Sequence, residues 1–217
     1  MDRPLVQLGK PRAERADARR NRLRLLEVAR EMMAEHGTAN VTMDSLAERA
    51  GLGKGTVFRR FGTRAGIFKA LLDEEAHRFQ EQVISGPPPL GPGAGPVERL
   101  IAYGRVRIEF LIANLAVAQA AMERDIRAPA VEVDMTQMHL RMLLGQADLD
   151  VPDLDILATQ LSAALEGPLL LYLASAPPVE TLDAEPARRL ADGWQTLVER
   201  LFGIDAPRGT EGDAPQR

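Results

Sequence analysis

Apolar residues along this chain recur at three- and four-residue spacing almost throughout, and nowhere do they alternate over the length of a strand. That period predicts helices and no sheet. A first helix, about 17–35, carries Leu25, Leu26, Ala29, Met32 and Met33 along one side, with Gly37 as its stop. Thr42 caps a short second helix striped by Leu46, Ala47 and Ala50, which ends at Gly51, and Leu52 packs inward from the turn. The third helix, 54–61, buries Val57 and Phe61, four apart, and turns Thr56, Arg59 and Arg60 to the other side. Thr63 then caps a fourth helix, with Ile67, Phe68, Leu71 and Leu72 inward, that runs to about residue 83.

Proline and glycine supply nine of the twelve residues of 85–96, so that stretch is a loop. Beyond it, Leu100, Ile101, Tyr103, Gly104, Ile108, Leu111 and Leu115 fit one or two helices broken near Asn114, and the pattern continues over 117–126. A helix over 130–147 carries Met135, Met138 and Met142 with His139 among them. Methionine fills irregular space, so this group either lines an adaptable apolar cavity or is a plain core stripe. The last two helices, about 152–174 and 181–202, are striped by Leu154, Leu157, Leu161, Leu165, Leu169 and Tyr172, and by Leu190, Trp194, Leu197 and Leu201. Pro168 should kink the first of them. Residues 1–16 and 205–217 are polar and rich in proline or glycine, and are expected to be disordered. The domains expected are therefore a basic arm (1–16), a small helical domain (17–72), a larger helical domain (73–204) and a tail (205–217).

Charge sharpens this division. Residues 1–72 hold 15 Lys/Arg against 8 Asp/Glu, a balance of +7, whereas the remainder holds 12 against 23, a balance of −11. A basic end on an acidic body points that end at a polyanion. Cysteine is absent, which excludes disulfides and thiolate metal sites and allows a reducing cytoplasm. The N-terminus lacks the apolar run of a signal peptide. The uninterrupted apolar stretch 168–174 is too short to cross a bilayer, so no membrane partner is expected and the location expected is cytoplasmic. No HExxH or GxSxG pattern occurs, and 51–56 (GLGKGT) lacks the Lys-Ser/Thr pair of a phosphate-cradling P-loop. No cofactor, metal site or catalysis is expected.

The third helix suits a DNA major groove. It begins with small residues and places arginines further along, and arginine bonds the O6 and N7 of guanine in bidentate fashion. An ordinary helical hairpin with solvated arginines is the plainer alternative. The segment 17–72 resembles the DNA-binding domain of tetracycline-repressor-type (TetR family) regulators. The resemblance rests on the Arg-rich first helix ending Glu35-His36-Gly37, on Thr42 with Leu46 and Ala47, on the run Gly53 to Phe58, and on Phe61, Thr63, Arg64 and Phe68. Phe58 stands where the family most often has Tyr, Arg60 where it has His or Tyr, and Arg64 where it has Lys.

The resemblance implies an all-α, ligand-responsive, dimeric regulator of transcription acting on double-stranded operator DNA, usually a repressor. Thr56, Phe58, Arg59 and Arg60 would meet bases or sugars, with Gly55 allowing close approach. Arg19, Arg20, Arg22, Thr42, Lys54 and Arg64 would hold phosphates. A small-molecule effector would sit among Tyr103, Arg107, Phe110, Met122, Met138, His139 and Met142. The final two helices would pair with their copies through Leu157, Leu161, Leu165, Leu169, Tyr172, Leu190, Trp194, Leu197 and Leu201, a larger monomeric core being the alternative. A constitutive or architectural DNA-binding protein and, more remotely, a helical enzyme are the alternatives.

Overall fold

The computed structural model describes residues 12–122, 133–173 and 184–204, and the side chains of 19–122, 135–171 and 185–204. The described residues form α-helices joined by turns, with one short 3-10 turn and no strand. The loose ends expected at 1–11 and 205–217, and the helical continuation over 123–126, lie outside the described residues. The expected arm reaches too far inward, because the first helix already begins at Arg12.

Internal packing divides the chain into two units, one of 1–75 with 117–126, the other of 76–116 with 127–217. The first holds α1 (Arg12–His36), the turn Thr38–Asn40, α2 (Met43–Ala50), α3 (Lys54–Phe61) and the start of α4 (Arg64–Ser85). Its core is Leu25, Leu26 and Ala29 of α1, Leu46 and Ala47 of α2, Val57 of α3, and Ile67, Phe68 and Leu71 of α4. Val117 and Ala120 of α6 (Leu115–Met122) pack into the same core, a contribution from a segment 45 residues beyond Leu72 that the one-dimensional pattern does not disclose.

Two local devices bound α2, and the second turns the chain toward α3. At the start of α2, Thr42 Oγ1 accepts from the Ser45 N–H at 3.0 Å while Ser45 Oγ accepts from the Thr42 N–H at 2.9 Å. Two of the helix's orphan donors are thereby satisfied reciprocally, with serine in the place glutamate often takes. At its end, Gly51 adopts φ 65°, ψ 34°. Its N–H donates to the Glu48 carbonyl at 3.1 Å and the Leu52 N–H to the Ala47 carbonyl at 2.9 Å. This pair of bonds needs a left-handed residue, which glycine supplies without a Cβ clash, and it carries Leu52 onto the core as expected.

The second unit holds the end of α4, α5 (Pro96–Ala113), α7 (Val133–Gln146), α8 (Leu154–Leu173) and α9 (Ala184–Leu201). Pro96 opens α5 at the first helical position, where its missing N–H is no loss, and Glu98 Oε2 accepts from the Gly95 N–H at 3.2 Å. Phe79, Leu100, Tyr103, Leu140, Leu143, Leu144, Leu161, Leu165 and Trp194 form its core. Trp194 is 4% exposed and its indole N–H donates to the Leu100 carbonyl at 3.0 Å. The indole lies over Gly104 so closely that a Cβ on that residue would overlap the ring. α8 continues helically through Pro168.

The expected pairing surface of α8 and α9 is corrected here. Leu161, Leu165 and Trp194 fill the core of their own chain, so they are not free to meet a second copy. Leu157, Leu190 and Leu201 are partly buried against the same core. The apolar residues left open are Ile156, Leu170 and Leu171 of α8 and Leu197 of α9, with Leu171 74% exposed. The Tyr172 side chain lies outside the described residues. The physical reason is geometric: α8 is apolar on nearly every side, so a single stripe read along it does not say which side faces home.

A second correction concerns membranes. Among the described residues α8 contains an 18-residue window, Leu154–Leu171, with mean hydropathy 1.2, long and apolar enough by length and composition to cross a bilayer. The sequence expectation considered only the uninterrupted apolar run. The window carries Asp155 and the buried, ion-paired Glu166, which suit a helix packed against protein better than one in lipid.

Candidate functional site

In the first unit α3 is anchored by one buried residue, Val57, with Phe61 partly buried beside it. The remaining side chains of its far half face out. Phe58 is 63% exposed and Arg59 and Arg60 are exposed. Arg59 Nη2 donates to Thr56 Oγ1 at 3.5 Å, a long contact within the helix, and Arg60 has no partner among the described residues. Neither guanidinium is neutralised by a carboxylate, and a large aromatic sits exposed between arginines and Thr56. Gly55 is exposed, with open space where a Cβ would point. The arrangement presents two unpaired cations and one flat apolar surface from a rigidly seated helix.

The expected phosphate contacts fare differently. Lys54 Nζ lies 2.9 Å from Asp44 on α2, but the two side chains are 73% and 67% exposed. A pair so open is worth little and yields readily to a phosphate. Thr42 is exposed, yet its hydroxyl is engaged in the cap of α2 with Ser45. Arg19 and Arg20 are exposed and Arg22 is half-buried.

Arg64 is corrected outright. Its guanidinium turns inward, donating from Nε to the Val41 carbonyl at 2.8 Å and from Nη2 to the Thr38 carbonyl at 2.6 Å. It also lies 4.8 Å from the centroid of the Phe68 ring. It therefore ties the start of α4 to the loop between α1 and α2, and gives the Thr38 carbonyl a second donor beside the Val41 N–H. Arg64→Ala should lower the unfolding free energy by about 1–3 kcal/mol through loss of the charge-assisted bonds, measured by chemical denaturation. If it weakened DNA binding with stability unchanged, Arg64 would be a phosphate ligand after all.

The second unit contains a cavity of about 90 Å³ lined by Phe79, Tyr103, Arg107, Met135, Thr136 and His139, among others. Tyr103 O–H lies 3.1 Å from Thr136 Oγ1, and burial pushes the phenol up from its ordinary value. Arg107 Nη2 pairs with Glu166 Oε1 at 3.0 Å, both side chains largely buried. The Arg107 guanidinium carbon sits 5.9 Å from the Phe79 ring centroid and 5.5 Å from that of Phe110. His139 stacks near Tyr103 at 4.7 Å between centroids. Of the expected effector residues, Tyr103, Arg107 and His139 are brought together here and Phe110 packs behind them. Met138 and Met142 are corrected: they are 55% and 41% exposed and do not line the cavity. Met122 belongs to the first unit. The methionine that does line it is Met135, and Phe79 and Thr136 were missed because their stripe positions read simply as core and polar face.

Burial, and secondarily the charge of Arg99, lowers the His139 pKa from its ordinary 6.5 to about 4. The charged groups nearby are Arg99, Arg107 and Glu166, with the Tyr103 phenol against the ring. Between those two pKa values the unfolded chain holds a proton that the folded one does not, so stability falls as pH drops from 6.5 to about 4. His139→Phe should lose less stability than the parent over that interval in thermal melts; equal losses would contradict the assignment.

The sequence pattern of bacterial regulatory proteins of the tetR family matches residues 25–71, the segment that builds α2, α3 and most of the first unit's core. The chain is similar to the HTH-type transcriptional repressor AcnR of Corynebacterium glutamicum, 28% identical over 155 residues that cover 68% of this chain and 79% of the relative. It is similar to AcnR of Corynebacterium diphtheriae at 29% over 170 residues, covering 75% and 85%. Among solved structures, a TetR-family transcriptional regulator from Pectobacterium atrosepticum shares the fold, with TM-score 0.61, 21% identity, and coverage of 92% of this chain and all of the other. Together with the geometry of α2 and α3, these likenesses show a regulatory domain of the bacterial tetR family over residues 25–71, in a chain that shares the fold of TetR-family regulators.

Proposed function

We propose that the protein is a homodimeric transcriptional repressor that a small molecule releases from its operator. The observation that carries the DNA half is the exposed trio Phe58, Arg59 and Arg60 on α3, whose two arginines have no carboxylate partner among the described residues. Each copy places α3 in a major groove, and two copies read half-sites of a pseudo-palindrome one or more helical turns apart. Arg59 and Arg60 with Thr56 meet base edges, Phe58 packs on a thymine methyl or sugar, and Lys54 with Arg19, Arg20 and Arg22 meets phosphates. Repression is supported by the two relatives named as repressors.

The open apolar residues Ile156, Leu170, Leu171 and Leu197 support the dimer, because large apolar side chains exposed on the last two helices favour burial against a second copy. Replacing Leu170 and Leu171 by Glu should yield a folded monomer in sedimentation, with operator affinity lowered at least about tenfold by loss of the second reading head. A variant that remained dimeric would place the interface elsewhere. The cavity beside Tyr103, Arg107 and His139 supports an effector site in the second unit. The effector shifts the dimer from operator only as far as its affinities for the bound and released states differ. Selection of bound duplexes from a random pool, followed by competition with small molecules, tests the whole reading: no selected sequence would refute it.

A further inference from the structure

Four buried polar atoms in the second unit have no hydrogen-bond partner among the described residues: Arg107 Nε, Arg99 Nε, His139 Nε2 and Ser162 Oγ. Buried orphans of this kind are uncommon in folded proteins, and each calls for a partner. Arg107 and His139 line the same cavity. Arg99 donates from Nη2 to the carbonyl of Val83, another lining residue, at 3.5 Å, and its charge is felt at His139.

The charge balance around this space is uneven. Arg107 has a carboxylate partner in Glu166 at 3.0 Å, whereas Arg99 has no carboxylate partner among the described residues, and His139 is uncharged near neutral pH. Counting Arg99 behind the wall, two guanidiniums therefore stand near one carboxylate, leaving about one positive charge and at least two N–H donors without acceptors. The rest of the wall is mainly apolar and aromatic, with Phe79 and Tyr103 at 5.5 Å between centroids and Gln80 and Thr136 as its uncharged polar residues. The space, about 90 Å³, corresponds to roughly three water molecules at about 30 Å³ each, enough for a carboxylate but not for a large head group. At its edge stand Ile84 and Met135, 67% and 43% exposed, where an apolar body can rest.

We propose that this cavity binds a monocarboxylate with a small apolar or aromatic body, its anion accepting from Arg107 Nε and balancing the charge of Arg99. This deepens the effector reading above and rests on it. One negative charge neutralises the excess; a neutral molecule of the same shape leaves it in place. Hydrogen bonds to an ionised acceptor are roughly twice as strong as neutral ones, so the charge should decide between isosteres.

The test compares benzoate with benzamide, which share size and shape and differ in charge, by calorimetry on the full-length protein at pH 7.5. Benzoate should bind at least about tenfold more tightly than benzamide, and Arg99→Gln should erase most of that preference. The ratio on the unmutated protein decides the matter even if the variant folds poorly. Benzamide binding as well as benzoate, or neither binding at millimolar concentration, would overturn the proposal. Fluorescence anisotropy on the selected operator separates this from the broader reading. Benzoate that binds without releasing DNA upholds the ligand class and sinks the switch. Release by some other compound, with benzoate inert, does the reverse.

Discussion

Arg59→Ala combined with Arg60→Ala should reduce binding to the selected operator at least roughly thirtyfold, while the melting temperature stays within experimental error. The two halves of that expectation have different origins. Binding suffers because a guanidinium reading a guanine edge is worth about 1–3 kcal/mol of discrimination, and two are removed. Adjacent residues are not strictly additive, so the lower bound is the safer figure. Stability does not suffer because neither side chain is buried or paired with a carboxylate. Lys54→Ala provides the contrast. It removes a point charge already shared with Asp44, so it should weaken all duplexes alike and flatten the salt dependence without relaxing base preference. Equal losses from the arginine pair on operator and on random duplex would show that α3 grips phosphates and does not read sequence.

Trp194→Ala should be the most damaging single change in the second unit, lowering the unfolding free energy by about 3–5 kcal/mol. That is a large part of the roughly 5–15 kcal/mol by which natural domains exceed their unfolded states. The indole fills the space between α5 and α9, and its N–H engages the Leu100 carbonyl. Gly104→Ala attacks the same contact from the other side, since the added methyl overlaps the ring and must push α9 off α5. Overpacking of this kind costs about 1–3 kcal/mol, with little relief available because the obstacle is a rigid ring held at its nitrogen. Urea denaturation of both variants checks this. A Gly104→Ala protein as stable as the parent would mean that the α5–α9 contact is looser than described.

What the sequence disclosed and what it concealed divide along a physical line. Helix α3 and its outward arginines were legible because a short amphipathic helix has one buried stripe, and Val57 with Phe61 marks it. The turn at Gly51 and the inward Leu52 were legible because only a left-handed glycine closes that pair of bonds. Arg64 was not, since a cation near a DNA-reading helix looks the same in sequence whether it turns toward a phosphate or toward the Thr38 and Val41 carbonyls. The close approach of Gly104 to Trp194 joins residues ninety apart, and spacing along one helix carries no information about the other. Leu161, Leu165 and Trp194 were assigned to a partner copy for a related reason: the home core and a dimer seam draw on the same residue types.

The separation of duties within α3 bears on how such a protein changes its address. Positions 56, 58, 59 and 60 carry little of the packing of α3 on the first unit's core, which falls to Val57 and Phe61. On the proposed reading of DNA by α3, substitutions at those four positions would alter which genes are controlled without remaking the scaffold. New regulons are reachable by small mutational steps, each leaving a folded protein for selection to act upon.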